Sequence, residues 1–239
     1  MRNSSAELLN PLVPRRRRGV EYLDEPGVDP RTVIRSLGDV TRANALFGGT
    51  GAVLAELNEA YQEIRASRVT LLDLGTGLGD IPRRAREAAH RLGIHLTTIG
   101  VDSSHALARA CCSRELPMVR ADARVLPFAA NSVDIVMCSQ LLHHFTRPDA
   151  LIFLREMDRV ARYRVIVSDL RRSWIAVGGI WLVSFPLGFL AESRHDGVVS
   201  VLRGFRLSEL RELLREAVGI DPTARVRIGF RLTATWRPA

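Results

Sequence analysis

Residues 70–80 read TLLDLGTGLGD, an apolar run followed by glycine at every second position, Gly75, Gly77 and Gly79, with Asp73 before them and Asp80 after. A glycine loop at the end of a strand lets backbone N–H groups approach a ligand that a β-carbon would keep away. Two phosphate chemistries fail at defined residues. A phosphate-binding loop needs GxxxxGK[ST], and this chain has neither that spacing nor any lysine. A dinucleotide loop needs GxGxxG, and the sixth position counted from Gly75 is Asp80. Asp73, two residues before the first glycine, would repel pyrophosphate and suits an ammonium or sulfonium group. The loop is therefore expected to meet a ligand that is cationic on this side.

Further landmarks follow in order. IGVDSS ends a second apolar run at Asp102, RADARVLPF holds Asp122 and Ala123 after a third, and SVDIVMCSQLLHHF supplies a fourth run and its exit. With the glycine loop, these residues resemble the class I S-adenosylmethionine-dependent methyltransferases over about residues 69–170, and more loosely over the whole chain, where small bacterial enzymes of quinone and polyketide metabolism are the nearer likeness. The resemblance implies S-adenosyl-L-methionine as cofactor. It implies that Asp102 accepts hydrogen bonds from the ribose hydroxyls and that Asp122, with Ala123 beside it, meets the adenine amino group. Asp73, Gly75, Thr76, Gly77, Gly79, Ser103 and Ser139 complete the expected cofactor contacts. Each acid also has a structural alternative; Asp102 is well placed to cap a helix over 103–114.

Methyl transfer is an in-line displacement on an activated carbon, so much of the rate comes from holding nucleophile and methyl group in line. A base is needed only for a poorly acidic hydroxyl, amine or carbon acid. His143 and His144 follow the fourth strand, at the carboxyl edge where open α/β sheets bind ligands. They are candidates for a base and its hydrogen-bonding support, or for residues that pack over the cofactor. His195, beside Asp196 in SRHDG, is a third candidate where a lid would meet the acceptor, with a surface turn as its alternative.

These groups need a scaffold, and the spacing predicts one. Residues 1–28 read as a flexible arm, and 29–66 as two cover helices, the first capped by Asp29 with Pro30 at its start and the second over 51–66. Residues 67–239 alternate strands with helices: strands VTLLDL, HLTTIGVD, MVRAD, VDIVMCSQ and RVIVSDL, helices over 80–92, 103–114, 148–161 and 208–217, and a terminal β segment ARVRIGFRLTATW. That alternation predicts an α/β doubly wound, seven-stranded, mostly parallel sheet of Rossmann-like methyltransferase type. Within it, about 171–205 is an insertion whose residues 174–191 are 18 consecutive uncharged residues. A lid, plain core and a dip into a membrane face are the alternatives for this stretch, a full span being disfavoured by its glycines and Pro186.

Composition narrows partners. With 46% hydrophobic and 25% charged residues in 239, the chain has material for one main folded unit. The formal charge of +8 rests wholly on arginine, a compositional bias rather than a nucleic-acid face. The fourth strand lacks the [ND]PP[YF] exit of nucleobase amino-methylases, and no paired-glutamate loop of protein arginine methyltransferases is present, so no nucleic-acid partner is expected. Three cysteines without CxxC spacing indicate a reducing compartment and no metal site. Arg15–Arg18 precede GVEYLDEPG rather than an apolar segment, so the expectation is cytoplasmic, with contact to acidic lipid as an alternative. The acceptor is then a small lipophilic or aromatic molecule of phenol, quinone or polyketide type, methylated at oxygen in preference to carbon. The alternatives are a non-catalytic cofactor-binding scaffold subunit and a membrane-associated lipid or quinone C-methyltransferase.

Overall fold

The computed structural model describes residues 12–25, 27–104 and 116–239. The greater part of the helix expected over 103–114, with Cys111 and Cys112, lies outside the described residues. Helix α1 (Pro30–Leu46) starts as its sequence dictates: Asp29 accepts the backbone N–H of Thr32 at 3.2 Å, and Pro30 occupies the first turn, where its missing N–H is not needed. Helix α2 (Gly49–Ile64) begins two residues earlier than the spacing predicts, because Gly48 turns the chain at φ +75 with the Ile228 carbonyl too close for a β-carbon.

The described strands form one sheet in the order β3-β2-β1-β4-β5-β7-β6. β1 (Arg68–Leu74), β2 (His95–Asp102), β3 (Met118–Arg120), β4 (Val133–Ser139) and β5 (Ala161–Leu170) are parallel, while β7 (Arg231–Trp236) runs antiparallel to both β5 and β6 (Thr223–Arg227). The expected terminal β segment is thus a hairpin, turned at Gly229, whose positive φ sets it against the Phe47 carbonyl. β5 starts three residues before RVIVSDL because Ala161 pairs with Val133 across a register shift.

Both sheet faces are covered. On one, Val53, Leu57 and Tyr61 of α2 and Ile81, Ala85 and Ala89 of α3 (Asp80–Arg91) pack on Leu71, Ile135, Met137 and Ile166. On the other, Phe153, Leu154 and Met157 of α4 (Arg147–Val160) and Leu210, Leu213 and Leu214 of α7 (Leu207–Val218) pack on Leu72, Leu74, Val136 and Val167. The near-continuous apolar character of β1, β4 and β5 follows from this two-sided burial. From β1 the chain winds outward to β2 and β3, then returns to β4 on the other side of β1. The carboxyl ends of β1 and β4 therefore splay their following loops apart and open a crevice.

The apolar stretch 174–191 is one helix and the turn that follows it. Helix α5 (Trp174–Ser184) stops before Pro186, the turn uses Gly188 at φ +64, and α6 (Ala191–Arg203) follows. No helix among the described residues is long and apolar enough to cross a membrane. The segment expected as a flexible arm departs from its sequence reading. Its described residues 12–25 lie along α5 and α6: the Trp174 N–H donates to the Leu12 carbonyl, the Arg17 N–H to that of Leu202, and buried Arg172 donates to that of Pro14. Local composition carries no signal of this docking, because its partners are some 160 to 190 residues away in sequence.

Candidate active site

The crevice is part of a cavity of about 950 Å³, within the range of small-molecule sites. Gly75 and Gly77 line it, and the loop they belong to is held from below. Asp73, fully buried, accepts the Thr76 hydroxyl at 2.7 Å. Burial pushes its carboxyl up to about 7, with Asp80 and Asp102 adding to the rise and the Thr76 bond opposing it. Asp73 therefore positions the loop instead of facing the cavity. Gly75 has φ +69, and a β-carbon there would stand 3.0 Å from the Leu141 side chain. Bare backbone at this point is what an approaching ligand requires.

Asp102, at the end of β2, lines the same cavity and accepts the backbone N–H groups of Ser104 at 2.9 Å and Gly77 at 3.4 Å. Burial raises its carboxyl above the usual range, against those hydrogen bonds. One carboxylate thus joins the loops after β1 and β2 on one side of the crevice. Asp122 also lines the cavity, but both its oxygens are bound by Arg124, which bridges to Asp149. The Arg124 bonds hold the Asp122 carboxyl below its ordinary value.

On the opposite wall, a short helical turn Leu142–His144 after β4 carries the histidine pair. The ring of His143 is buried, its Nδ1 is 2.7 Å from Asp169 Oδ1, and its backbone N–H donates to Asp169 Oδ2 at 3.0 Å. Asp169 is fully buried near the end of β5. His143 Nε2 is buried without a hydrogen-bond partner, 3.7 Å from Glu21 Oε1. Burial opposes charge on His143, but the Asp169 and Glu21 carboxylates outweigh it and lift the imidazole to about 9. Asp169 is held below its ordinary value by the same imidazolium, despite its burial. The ring is thus fixed by one carboxylate at Nδ1 and turns its other nitrogen toward a second, without a hydrogen bond there, so that it can hold or release a proton at Nε2.

His144 differs from its neighbour. Its ring is partly exposed and sits with Asp24, at 3.2 Å, and the Arg203 guanidinium. Glu21, His143 and His144 hold ligand-capable atoms within 4.8 Å of one another, and the cation already among them is Arg203, 3.1 Å from Glu21. Glu21 and Asp24 come from the docked N-terminal segment, whose Tyr22 and Leu23 N–H groups donate to Asp196 of α6 at 2.7 and 3.1 Å.

The remaining walls are apolar. Val33, Leu37 and Val40 of α1 line the cavity, so the stripe that the sequence offers to a core serves this space. Ala176, Gly179, Ile180 and Val183 of α5 close another side. The opposite face of α5 exposes Trp174, Trp181 and Leu182.

Of the residues singled out in the sequence, Gly75, Gly77, Asp102, Ser103, Asp122, Ala123, His143 and His144 share this cavity. Asp73, Thr76, Gly79 and Ser139 do not line it; Asp73 and Thr76 buttress the loop, Gly79 caps α3, and the Ser139 hydroxyl is buried without a partner. His195 is not brought to the site: its side chain is 59% exposed, and the neighbour Asp196 is the one turned inward. Sequence reasoning missed Asp169, although an acid near the end of the apolar run RVIVSDL was a signal in itself. Glu21, Asp24, Arg203 and Arg231 carried none, since each is recruited by tertiary contact.

The glycine cradle and the Asp102 carboxylate on the cavity wall offer the backbone N–H groups and the hydroxyl acceptor that S-adenosylmethionine calls for. A family model described as a methyltransferase domain matches residues 72–167. An uncharacterized methyltransferase of Mycolicibacterium gilvum (strain PYR-GCK) is 30% identical over 168 residues, covering 69% of this chain and 58% of that protein. The 27-O-demethylrifamycin SV methyltransferase of Amycolatopsis mediterranei (strain S699) is 29% identical over 177 residues, 71% of this chain and 60% of that one. The chain thus spans about three fifths of the length of these curated relatives. A SAM-dependent methyltransferase from Aquifex aeolicus superposes with a TM-score of 0.59 at 17% identity, covering 88% of this chain and 99% of that one. Domain match, relatives and sheet topology agree on a class I S-adenosylmethionine-dependent methyltransferase domain.

Proposed function

We propose that the chain transfers a methyl group from S-adenosylmethionine to a hydroxyl of a small lipophilic or aromatic acceptor of phenol, quinol or polyketide type. The observation that carries this reading is the His143–Asp169 pair on the cavity wall, with Nε2 buried and unbonded. Gly75, Gly77 and Asp102 would hold the cofactor, Asp102 through the ribose hydroxyls, with Ser103 and Ala123 beside it. When bound, the cofactor supplies an activated methyl group. His143, in its neutral form, removes the acceptor's hydroxyl proton at Nε2, and Asp169 keeps the ring oriented and stabilises the imidazolium that results. The α1 and α5 side chains exclude water and hold the acceptor in line. An oxygen acceptor agrees with the name of the Amycolatopsis relative, which specifies an O-demethylated rifamycin.

The test is transfer of tritiated methyl to a panel of naphthols, quinols and non-hydroxylated analogues. Transfer confined to hydroxyl acceptors, and lost in His143→Ala with cofactor binding retained, is expected. Methylation of carbon acids alone, or unchanged turnover in that variant, would reject the reading.

Peripheral membrane contact has its own support, the exposed Trp174, Trp181 and Leu182 face of α5 with Arg17 over the Trp174 ring and Arg194 over Phe185. Flotation with anionic liposomes, abolished by Trp181→Ser with Leu182→Ser, is the expected outcome; recovery of the wild-type chain entirely below the liposomes would exclude it.

A further inference from the structure

Arg231, the first residue of β7, lines the cavity and is buried, yet its neighbours do not neutralise it. Nη1 donates to the Gln140 side-chain carbonyl at 2.8 Å, Nη2 to that of Asn44 at 3.2 Å, and Nε is buried with no partner. Both acceptors are neutral amides. Among the described residues no carboxylate lies within ion-pair distance of this guanidinium. The carboxylate that acts on it from farther away, Asp169, is bound by His143 and by the Leu170 N–H.

Other charges on the cavity wall have partners. Arg124 is paired with Asp122 and Asp149, Asp39 with Arg42 and the Leu190 N–H, and Asp196 with two backbone N–H groups. A buried cation held by neutral amides alone is an expensive arrangement unless a ligand completes it. Burial indeed draws the guanidinium down to about 10.

The backbone is specialised at the same place. Gln140 (φ 54) and Phe230 (φ 57) are two of the four described non-glycine residues with positive φ, and they bracket the guanidinium on β4's exit and on β7's entry. Strained backbone of this kind persists where surroundings over-determine it, as at ligand clamps. Gly49 leaves room beside the fork, since a β-carbon there would be 2.6 Å from Asn44 Oδ1 and 3.3 Å from the Arg231 guanidinium carbon.

We propose that Arg231, positioned by Gln140 and Asn44, is an anion-recognition residue of the cavity and binds a carboxylate-type group. This deepens the methyl-transfer reading and rests on it. Two sources share the chemistry: an acidic acceptor bearing a carboxylate or enolate, and the amino-acid carboxylate of the cofactor. A guanidinium fork suits either, because it offers parallel N–H donors to a planar anion.

The experiment uses the full chain and binding calorimetry, so that a failure of catalysis does not enter. One arm compares 1-hydroxy-2-naphthoate with 1-naphthol in the presence of S-adenosylhomocysteine. The other compares S-adenosylhomocysteine with 5′-methylthioadenosine, which lacks the amino-acid portion. An acidic acceptor predicts that wild type prefers the naphthoate by about 10- to 100-fold and that Arg231→Met erases this preference without changing cofactor affinity. A cofactor carboxylate predicts that Arg231→Met weakens S-adenosylhomocysteine by about the same factor and leaves 5′-methylthioadenosine unchanged. A folded variant that alters neither comparison overturns the proposal. Should Arg231→Met fail to fold, Arg231→Gln removes the charge, keeps a polar partner for Gln140 and Asn44, and carries the same readout. Absence of transfer to any hydroxyl acceptor, with either binding preference intact, would refute the methyl-transfer reading and leave the anion site standing.

Discussion

His143 Nδ1 lies 2.7 Å from Asp169 Oδ1, joining the exit of β4 to the end of β5 across adjacent parallel strands. The backbone N–H of His143 donates to the other oxygen of the same carboxylate, so ring and main chain are fixed together. Replacing His143 with Ala should lower methyl transfer by about 10²- to 10⁴-fold. Asp169→Asn should lower it as well, by leaving the ring free to take the wrong tautomer. Titration with S-adenosylhomocysteine should show cofactor affinity essentially unchanged in both; a parallel loss of affinity would mean that the pair shapes the cofactor site.

The pair also sets a pH dependence. The imidazole is lifted to about 9 by the Asp169 and Glu21 carboxylates, against the opposing effect of burial, so the free protein holds His143 protonated at neutral pH. Because a base must be neutral, the rate should climb as pH rises toward 9. Glu21→Gln removes one of the two carboxylates that favour the charged ring and should move this limb to lower pH. A pH–rate profile of kcat/KM checks it, and an unshifted limb would assign the titration to another group.

Asp102 joins the glycine loop to the end of β2, and the ribose hydroxyls are its expected ligands. Asp102→Ala should weaken cofactor binding by about 1 to 3 kcal/mol through lost charge-assisted hydrogen bonds. Asp122→Ala should have a smaller effect, because Arg124 already holds that carboxylate and its side chain is 49% exposed. Calorimetry on both variants compares them directly, and equal losses would contradict this ranking.

Gly75→Ala places a methyl group at φ +69 and 3.0 Å from Leu141. It should destabilise the fold by about 1 to 3 kcal/mol through a disfavoured backbone region. It should also weaken cofactor binding by narrowing the crevice. Thermal unfolding with and without S-adenosylhomocysteine separates the two effects; a stabilisation by ligand equal to that of wild type would show that the cradle tolerates a β-carbon.

Asp196 accepts two consecutive backbone N–H groups from the N-terminal segment, and so ties Glu21 and Asp24 to the cavity wall. Asp196→Ala should free this segment. Limited trypsin digestion should then cut sooner at Arg15–Arg18 while cutting elsewhere stays as in wild type. Unchanged cleavage would mean that the Arg16, Arg172 and Arg203 contacts suffice to hold it.

Fold class and cofactor loop were legible because their determinants are local. Period-two and period-3.6 patterning reports which faces are buried, and glycine and aspartate at set positions report backbone geometry that other residues cannot adopt. Asp29-Pro30, the tight backbone turns at Gly75, Gly77 and Gly79 and the alternation of strand and helix therefore appear in the folded chain as the sequence implied, whereas Asp73 turned from the ligand side to hold the loop from within. His143 and His144 could be placed at the carboxyl edge of the sheet for the same reason.

Which histidine has a buried, unbonded nitrogen could not be read this way, because adjacent residues differ only in what the fold packs around them. His143 is enclosed by Asp169 of β5 and Glu21 of the N-terminal segment, while His144, one residue on, shares Asp24 and Arg203 with solvent. The same holds for Arg231, one arginine among many in the sequence and distinguished by being buried between two amides. Charge, burial and protonation are properties of an environment assembled from distant segments. The sequence alone determined the scaffold and the glycine loop at its carboxyl edge; only tertiary contact decided which histidine is enclosed by carboxylates and which side chains wall the cavity.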